Sequence, residues 1–145
     1  MKTFKFLAVA LWTAVFILGN PGFGFAADNS ISVLGECSAQ KKFTMYLGAN
    51  DKDTLIQEIP TEKIREEVHE ICMKYVDGYT VTAADGYYRD KDNNISHETS
   101  LIYVFMDADI HAIQKIMDEA LVKFNQSSIL LEENNTQSIF YPTAS

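Results

Sequence analysis

The run Thr99 to Met106, TSLIYVFM, is apolar on both of its faces, and this limits what the chain can fold into more than any other feature. Leu101, Tyr103 and Phe105 alternate with Ile102, Val104 and Met106. A strand with one face in water alternates apolar with polar residues, so this run is expected to be central, with both rows covered. The polar turn Asp90-Lys91-Asp92-Asn93-Asn94 joins it to an earlier alternating segment, Tyr79 to Ala84. The two segments form a hairpin. Between them Asp85-Gly86 breaks the alternation before Tyr87-Tyr88 resumes it, which predicts a bulge there.

Helical periodicity flanks the hairpin. Ile64, Val68, Ile71 and Tyr75 share one face of a helix capped by Thr61 and stopped at Gly78. A second helix starts after Asp107 or Asp109, and its core face is Ile110, Ile113, Met117, Ala120, Leu121 and Phe124. Lys42 to Ala49 gives a first strand with Phe43, Met45 and Leu47 inward, and Ser128 to Glu132 gives a fourth. Ser138 to Tyr141 offers a short fifth. The order strand, helix, strand, strand, helix, strand predicts an α+β, ferredoxin-like sandwich: a four-stranded antiparallel sheet with two helices on one face.

The chain divides into residues 1–26, a lead-in at 27–40, a domain at 41–141 and a tail at 142–145. Lys2 and Lys5 precede the apolar run Phe6 to Leu18, and Gly24-Phe25-Ala26 supplies small residues for cleavage after Ala26, the marks of a signal peptide. The apolar run is about 13 residues, against the ~20 that a membrane-spanning helix needs. An exported chain, periplasmic or extracellular, with no membrane segment after cleavage is the expectation. Cleavage removes two lysines and no acid, making the formal charge of −8 more negative still. That acidity argues against nucleic acid and anionic membranes as partners.

Cys37 and Cys72 are the two cysteines. In an oxidising compartment they are expected to pair as a structural disulfide, since the start of the first strand and the end of the first helix come close in a strand–helix unit. Without a CxxC spacing they carry no redox motif.

The runs Asp77-Gly78-Tyr79-Thr80-Val81, Gly86-Tyr87-Tyr88, Glu98-Thr99-Ser100 and Phe124-Asn125-Gln126-Ser127 resemble a family of small exported bacterial proteins of unknown function with a ferredoxin-like fold. The resemblance covers about residues 41–133. Where that pattern has Trp after Gly-x, this chain has Tyr88. The resemblance implies no activity and no cofactor.

Three functional readings follow. In the first, the open face of the sheet, carrying Tyr46, Thr80, Thr82 and one apolar row of the third strand, binds a partner or makes a homodimer without catalysis. In the second, Tyr88, Arg89, His97 and Glu98 near the hairpin tip form a pocket for a small ligand or a reaction, and Tyr88 or Arg89 lies opposite Glu98 across the hairpin. In the third, Asp90-x-Asp92-x-Asn94 binds calcium. That motif departs from an EF-hand at Ile95 and Leu101, where glycine and glutamate are required. His69, His97 and His111 share no metal-ligand spacing, and no nucleophile motif or phosphate loop is present.

Overall fold

The computed structural model describes residues 30–89 and 93–141. Residues 1–29, where the expected signal peptide falls, Asp90, Lys91 and Asp92 of the expected calcium motif, and the tail 142–145 lie outside them. A 3-10 turn at Ser30–Leu34 leads into β1 (Ser38–Gly48), α1 (Thr61–Cys72), β2 (Thr80–Arg89), β3 (Ile95–Met106), α2 (Ile110–Lys123) and β4 (Leu130–Ser138). The strands form one antiparallel sheet in the order β2-β3-β1-β4. This is the ferredoxin-like βαββαβ arrangement, with β1 and β3 at the centre. Among the described residues no helix is long and apolar enough to cross a membrane.

The core lies between the helices and one face of the central strands. Phe43, Met45 and Leu47 of β1 and Leu101, Tyr103 and Phe105 of β3 are fully buried against Ile64, Val68 and Ile71 of α1 and Ile113, Ile116 and Ala120 of α2. Because side chains alternate along a strand, the register then sends Thr44, Tyr46, Ile102 and Val104 to the other face. Tyr46 lies opposite Ile102, which lies opposite Thr82, while Val104 lies between Thr44 and Thr80. Asp109 caps α2 by accepting from the backbone N–H of His111 and Ala112.

Several expectations are corrected. Residues 38–40 belong to β1 rather than to a lead-in, because they pair with Thr136 to Ser138. The same pairing absorbs Ser138 into β4, so Ile139 to Tyr141 make no fifth strand. No bulge occurs at Asp85-Gly86; the register runs unbroken from Thr80 to Arg89. Pro60, not Thr61, stands at the start of α1: its carbonyl accepts from Lys63 and Ile64, and the Thr61 hydroxyl oxygen accepts from Gln57 instead. The helix itself ends at Cys72, ahead of Gly78.

The two cysteines are free. Cys72 lies wholly inside the core, close enough to Tyr103 to push that hydroxyl's pKa up beyond what burial alone does. Tyr103 pairs with Met45, and Cys37 lies before the start of β1, roughly 27 Å back along an extended strand. A disulfide spans less than about 7 Å between Cα atoms. Burial also pushes the Cys72 thiol up to about 12, which keeps it protonated and unreactive. A thiol reagent is therefore expected to modify Cys37 alone in the folded protein and both cysteines in denaturant, with reductant leaving the melting temperature unchanged. A melting temperature that falls with reductant would show a bridge.

Candidate functional site

The open face of the sheet carries few charges. By register its positions on β1 and β3 are Lys42, Thr44, Tyr46 and Gly48, and Ser96, Glu98, Ser100, Ile102, Val104 and Met106. The edge strands add Thr80, Thr82, Ala84, Gly86 and Tyr88 on one side and Leu130, Glu132 and Asn134 on the other. Lys42, Glu98 and Glu132 are the formal charges among these, whereas α1 alone carries Glu62, Glu66, Glu67 and Glu70. Ile102 and Val104 are partly exposed and Leu130 is 61% exposed, so the middle of the face is apolar and wet.

At the end of this face where β1 stops, the surface dips into a cavity of about 370 Å3. Tyr46 and Gly48 line its sheet side together with Glu98 and Ser100 of β3 and Tyr88 of β2. Two loops make the wall: the one after β1, through Asp51 and Lys52, and the one after α2, through Gln126 to Ser128. Hydrogen bonds tie the loops together. The Asn125 amide donates to Asp51 Oδ2 and Asp53 Oδ2, each at 2.8 Å, and Gln126 donates to the Asn50 carbonyl at 2.7 Å. Asn125 holds a left-handed backbone, φ 47°, which asparagine tolerates better than most residues.

Asp51 is the hub of that wall. Its Oδ1 accepts from the backbone N–H of Asp53 and Thr54. The Asn125 amide first, and then these backbone donors, hold its carboxyl below the usual carboxylate range. Across the cavity floor the Tyr46 hydroxyl donates to Glu132 Oε2 at 2.9 Å, and that bond raises the pKa of the phenol, helped by partial burial and the nearby negative charge.

Two close approaches shape the floor. A Cβ at Gly48 would lie 2.7 and 2.9 Å from the two carboxylate oxygens of Glu98, and one at Gly86 would lie 2.7 Å from Ser100 Oγ. Glycine at both positions is what lets Glu98 and Ser100 lie down on the sheet.

The residues singled out from the sequence divide between the faces. Tyr46, Tyr88 and Glu98 line the cavity, and Thr80 and Thr82 share its face farther along. Arg89 and His97 point to the helix side. Arg89 donates to the Asn93 carbonyl at 3.3 Å, and His97 Nε2 meets Asp85 Oδ1 at 2.9 Å with its ring centroid 4.7 Å from that of Tyr87. Opposite Glu98 stands Gly86, not Tyr88 or Arg89, which face Ser96 and Ile95. Among the described residues no group of three or more His, Cys, Asp or Glu side chains is placed to hold a metal.

The loop residues Asp51, Asn125 and Gln126 were not legible as site residues from sequence. Their signals were the polar run after the first strand and the run Phe124 to Ser127, both of which also read as ordinary loop chemistry. Because the Asp51 carboxyl is depressed in the folded state, its contribution to stability is complete above the unfolded pKa, near 3.8, and is lost as pH falls below it. Asp51→Asn is expected to flatten the fall of the urea midpoint between neutral pH and pH values below that point. Equal slopes in variant and wild type would show that the loop bonds do not carry this linkage.

Solved structures similar to this chain include two with a TM-score above 0.5. A phage SAM lyase in complex with S-methyl-5′-thioadenosine matches with a TM-score of 0.55 and 16% identity, over 66% of this chain and 81% of its own. The apo state of a phage SAM lyase matches at 0.53 and 13%, over 74% and 93%. CutA from Synechococcus elongatus matches at 0.45 and 10%, over 72% and 87%. At such identities the likeness is one of fold. No curated protein matches the sequence. A family model does match, over residues 42–140, which takes in the whole sheet but the first residues of β1, both helices and every residue lining the cavity. The chain belongs to DUF3574, a family of proteins of unknown function.

Proposed function

We propose that this protein is a non-enzymatic binding module that self-associates, two copies meeting through the open faces of their sheets, and that it acts outside the cytoplasm once residues 1–26 are removed. The observation that carries the reading is the outer row of β3. Ile102 and Val104 occupy the centre of the sheet, flanked by Tyr46 and Thr82, and no helix of the described residues packs over them.

A row of this kind on a central strand gains from being covered, at roughly 25 cal/mol for each Å2 of apolar surface removed from water. Charge favours a second copy as the cover. Two chains of formal charge −8 repel each other at most orientations. The open face, with Lys42 set against Glu98 and Glu132, is close to neutral. An isologous contact there also places like residues around a two-fold axis, the commonest symmetry of soluble oligomers.

Catalysis has less support. Arg89 and His97 lie on the opposite side of the sheet from Tyr88 and Glu98, so the four do not converge. Glu132 is engaged by Tyr46, whose hydroxyl pKa is raised rather than lowered, and among the described residues no serine, threonine or cysteine of the open face hydrogen-bonds to a carboxylate or imidazole. Export is supported by the charged, apolar and small-residue sequence of the first 26 residues.

Self-association stabilises a fold by mass action, so the wild-type melting temperature is expected to rise with protein concentration. Ile102→Glu, which buries a charge in the contact, is expected to remove that dependence, as is Thr82→Arg on the edge strand. Should both variants keep it, the contact lies elsewhere on the molecule.

A further inference from the structure

The carboxylate of Glu98 stands without a partner. It is partly buried, on the lining of the 370 Å3 cavity, and makes no hydrogen bond or ion pair with any described residue. Lys52 lines the same cavity, yet its ammonium group is not in ion-pair contact with Glu98. A chain that is already strongly acidic gains nothing in stability from one more negative charge held without a counter-charge.

The sheet nevertheless makes room for this group. All three atoms of the carboxyl head lie 2.7 to 3.0 Å from the point that a Gly48 Cβ would occupy, the oxygens nearer than the carbon, so the carboxylate rests against the β1 backbone where any side chain at 48 would stand. Gly86, opposite on β2, makes room in turn for Ser100 Oγ, 2.7 Å from the point that a Cβ there would occupy. The lone pairs of a carboxylate lie in its plane. Neither oxygen accepts a hydrogen bond from a described residue, so both keep acceptor capacity.

We propose that Glu98 anchors a binding site for a small organic cation of the guanidinium or amidinium class. A planar fork of N–H donors meets both oxygens of a carboxylate at once, which a single ammonium point charge does not. Tyr88, 41% exposed, lines the same cavity and supplies an aromatic ring for a planar cation to stack on, and Leu130 supplies apolar surface for an alkyl stem. The hydroxyls of Ser100, beside the carboxylate, and of Ser128 also line the cavity. The site lies at the end of the open face and does not depend on whether two copies associate through its centre.

Calorimetric titration with agmatine tests this, with putrescine as the cation of similar length that lacks the fork. Agmatine is expected to bind wild type at least tenfold more tightly than putrescine, and Glu98→Gln is expected to weaken agmatine at least tenfold. Gly48→Ala displaces the carboxylate without removing its charge and is expected to weaken agmatine as well. Since Glu98 has no partner to lose, Glu98→Gln is expected to melt no lower than wild type.

Equal agmatine affinity in wild type and Glu98→Gln would overturn the site, and so would a lower melting temperature for that variant, which would reveal a structural bond. The tripeptide Gly-Arg-Gly amide tells the two sources of a guanidinium apart. Binding of the tripeptide but not of agmatine would overturn the small molecule in favour of an arginine on a partner protein. Sedimentation of Glu98→Gln separates the two proposals: an unchanged mass with lost agmatine binding leaves the sheet contact standing.

Discussion

Everything else in the molecule hangs on the burial of the inner rows of β1 and β3 beneath the helices. Phe43, Met45, Leu47, Leu101, Tyr103 and Phe105 are all fully buried, each worth about 1.5–3 kcal/mol relative to exposure. Such burial sets the register, because slipping one strand by a single residue would turn its whole inner row out to water. The helices follow as cover for those rows. What shows on the far side follows too, since alternate residues have no other place to go. Ile102, Val104 and Tyr46 are presented on the open face because their neighbours are buried.

The cavity depends on the same register at its end. Gly48 is the last residue of β1 and lies opposite Ser100, two residues from Glu98 on β3. Beyond that point β2 and β3 continue as a two-stranded ribbon, and the loops on either side of the sheet close in beneath it. Asn125 and Gln126, at the exit of α2, hold the loop that leaves β1, so the wall is fastened by side-chain amides rather than by apolar packing. Hydrogen bonds such as these, part-buried or exposed in loops, open more easily than the core does. The sheet side of the cavity is therefore its rigid half, and the loop side its adjustable half.

Most of the fold was legible because it rests on periodicity. The two-sided apolar run at Thr99 to Met106 marked β3 as central, and the helices showed their faces through Ile64, Val68, Ile71 and Ile113. Apart from the ends of α1, the misplaced features depended on partners distant in sequence. Asp85-Gly86 resembled a bulge, yet Gly86 answers to Ser100 and Glu98 across the hairpin. Ser138 resembled the start of a new strand but completes a pairing with Ser38. Cys37 and Cys72 looked close in a strand–helix unit, whereas Cys72 sits over the middle of the sheet. One separation was present in the sequence all along: residues 88 and 89, like 97 and 98, differ by one along a strand and so cannot share a face. Glu98 as an unpartnered anion was not legible, because only the packing shows that nothing answers it.

The claim on which the functional reading rests is that a second copy covers Ile102 and Val104. Sedimentation equilibrium of the chain from Ala27 to Ser145, over a wide range of concentration, addresses it most directly. A mass of two chains that dissociates reversibly on dilution is the expected result. A single-chain mass at every concentration would contradict it, and would leave the open face to an unlike partner.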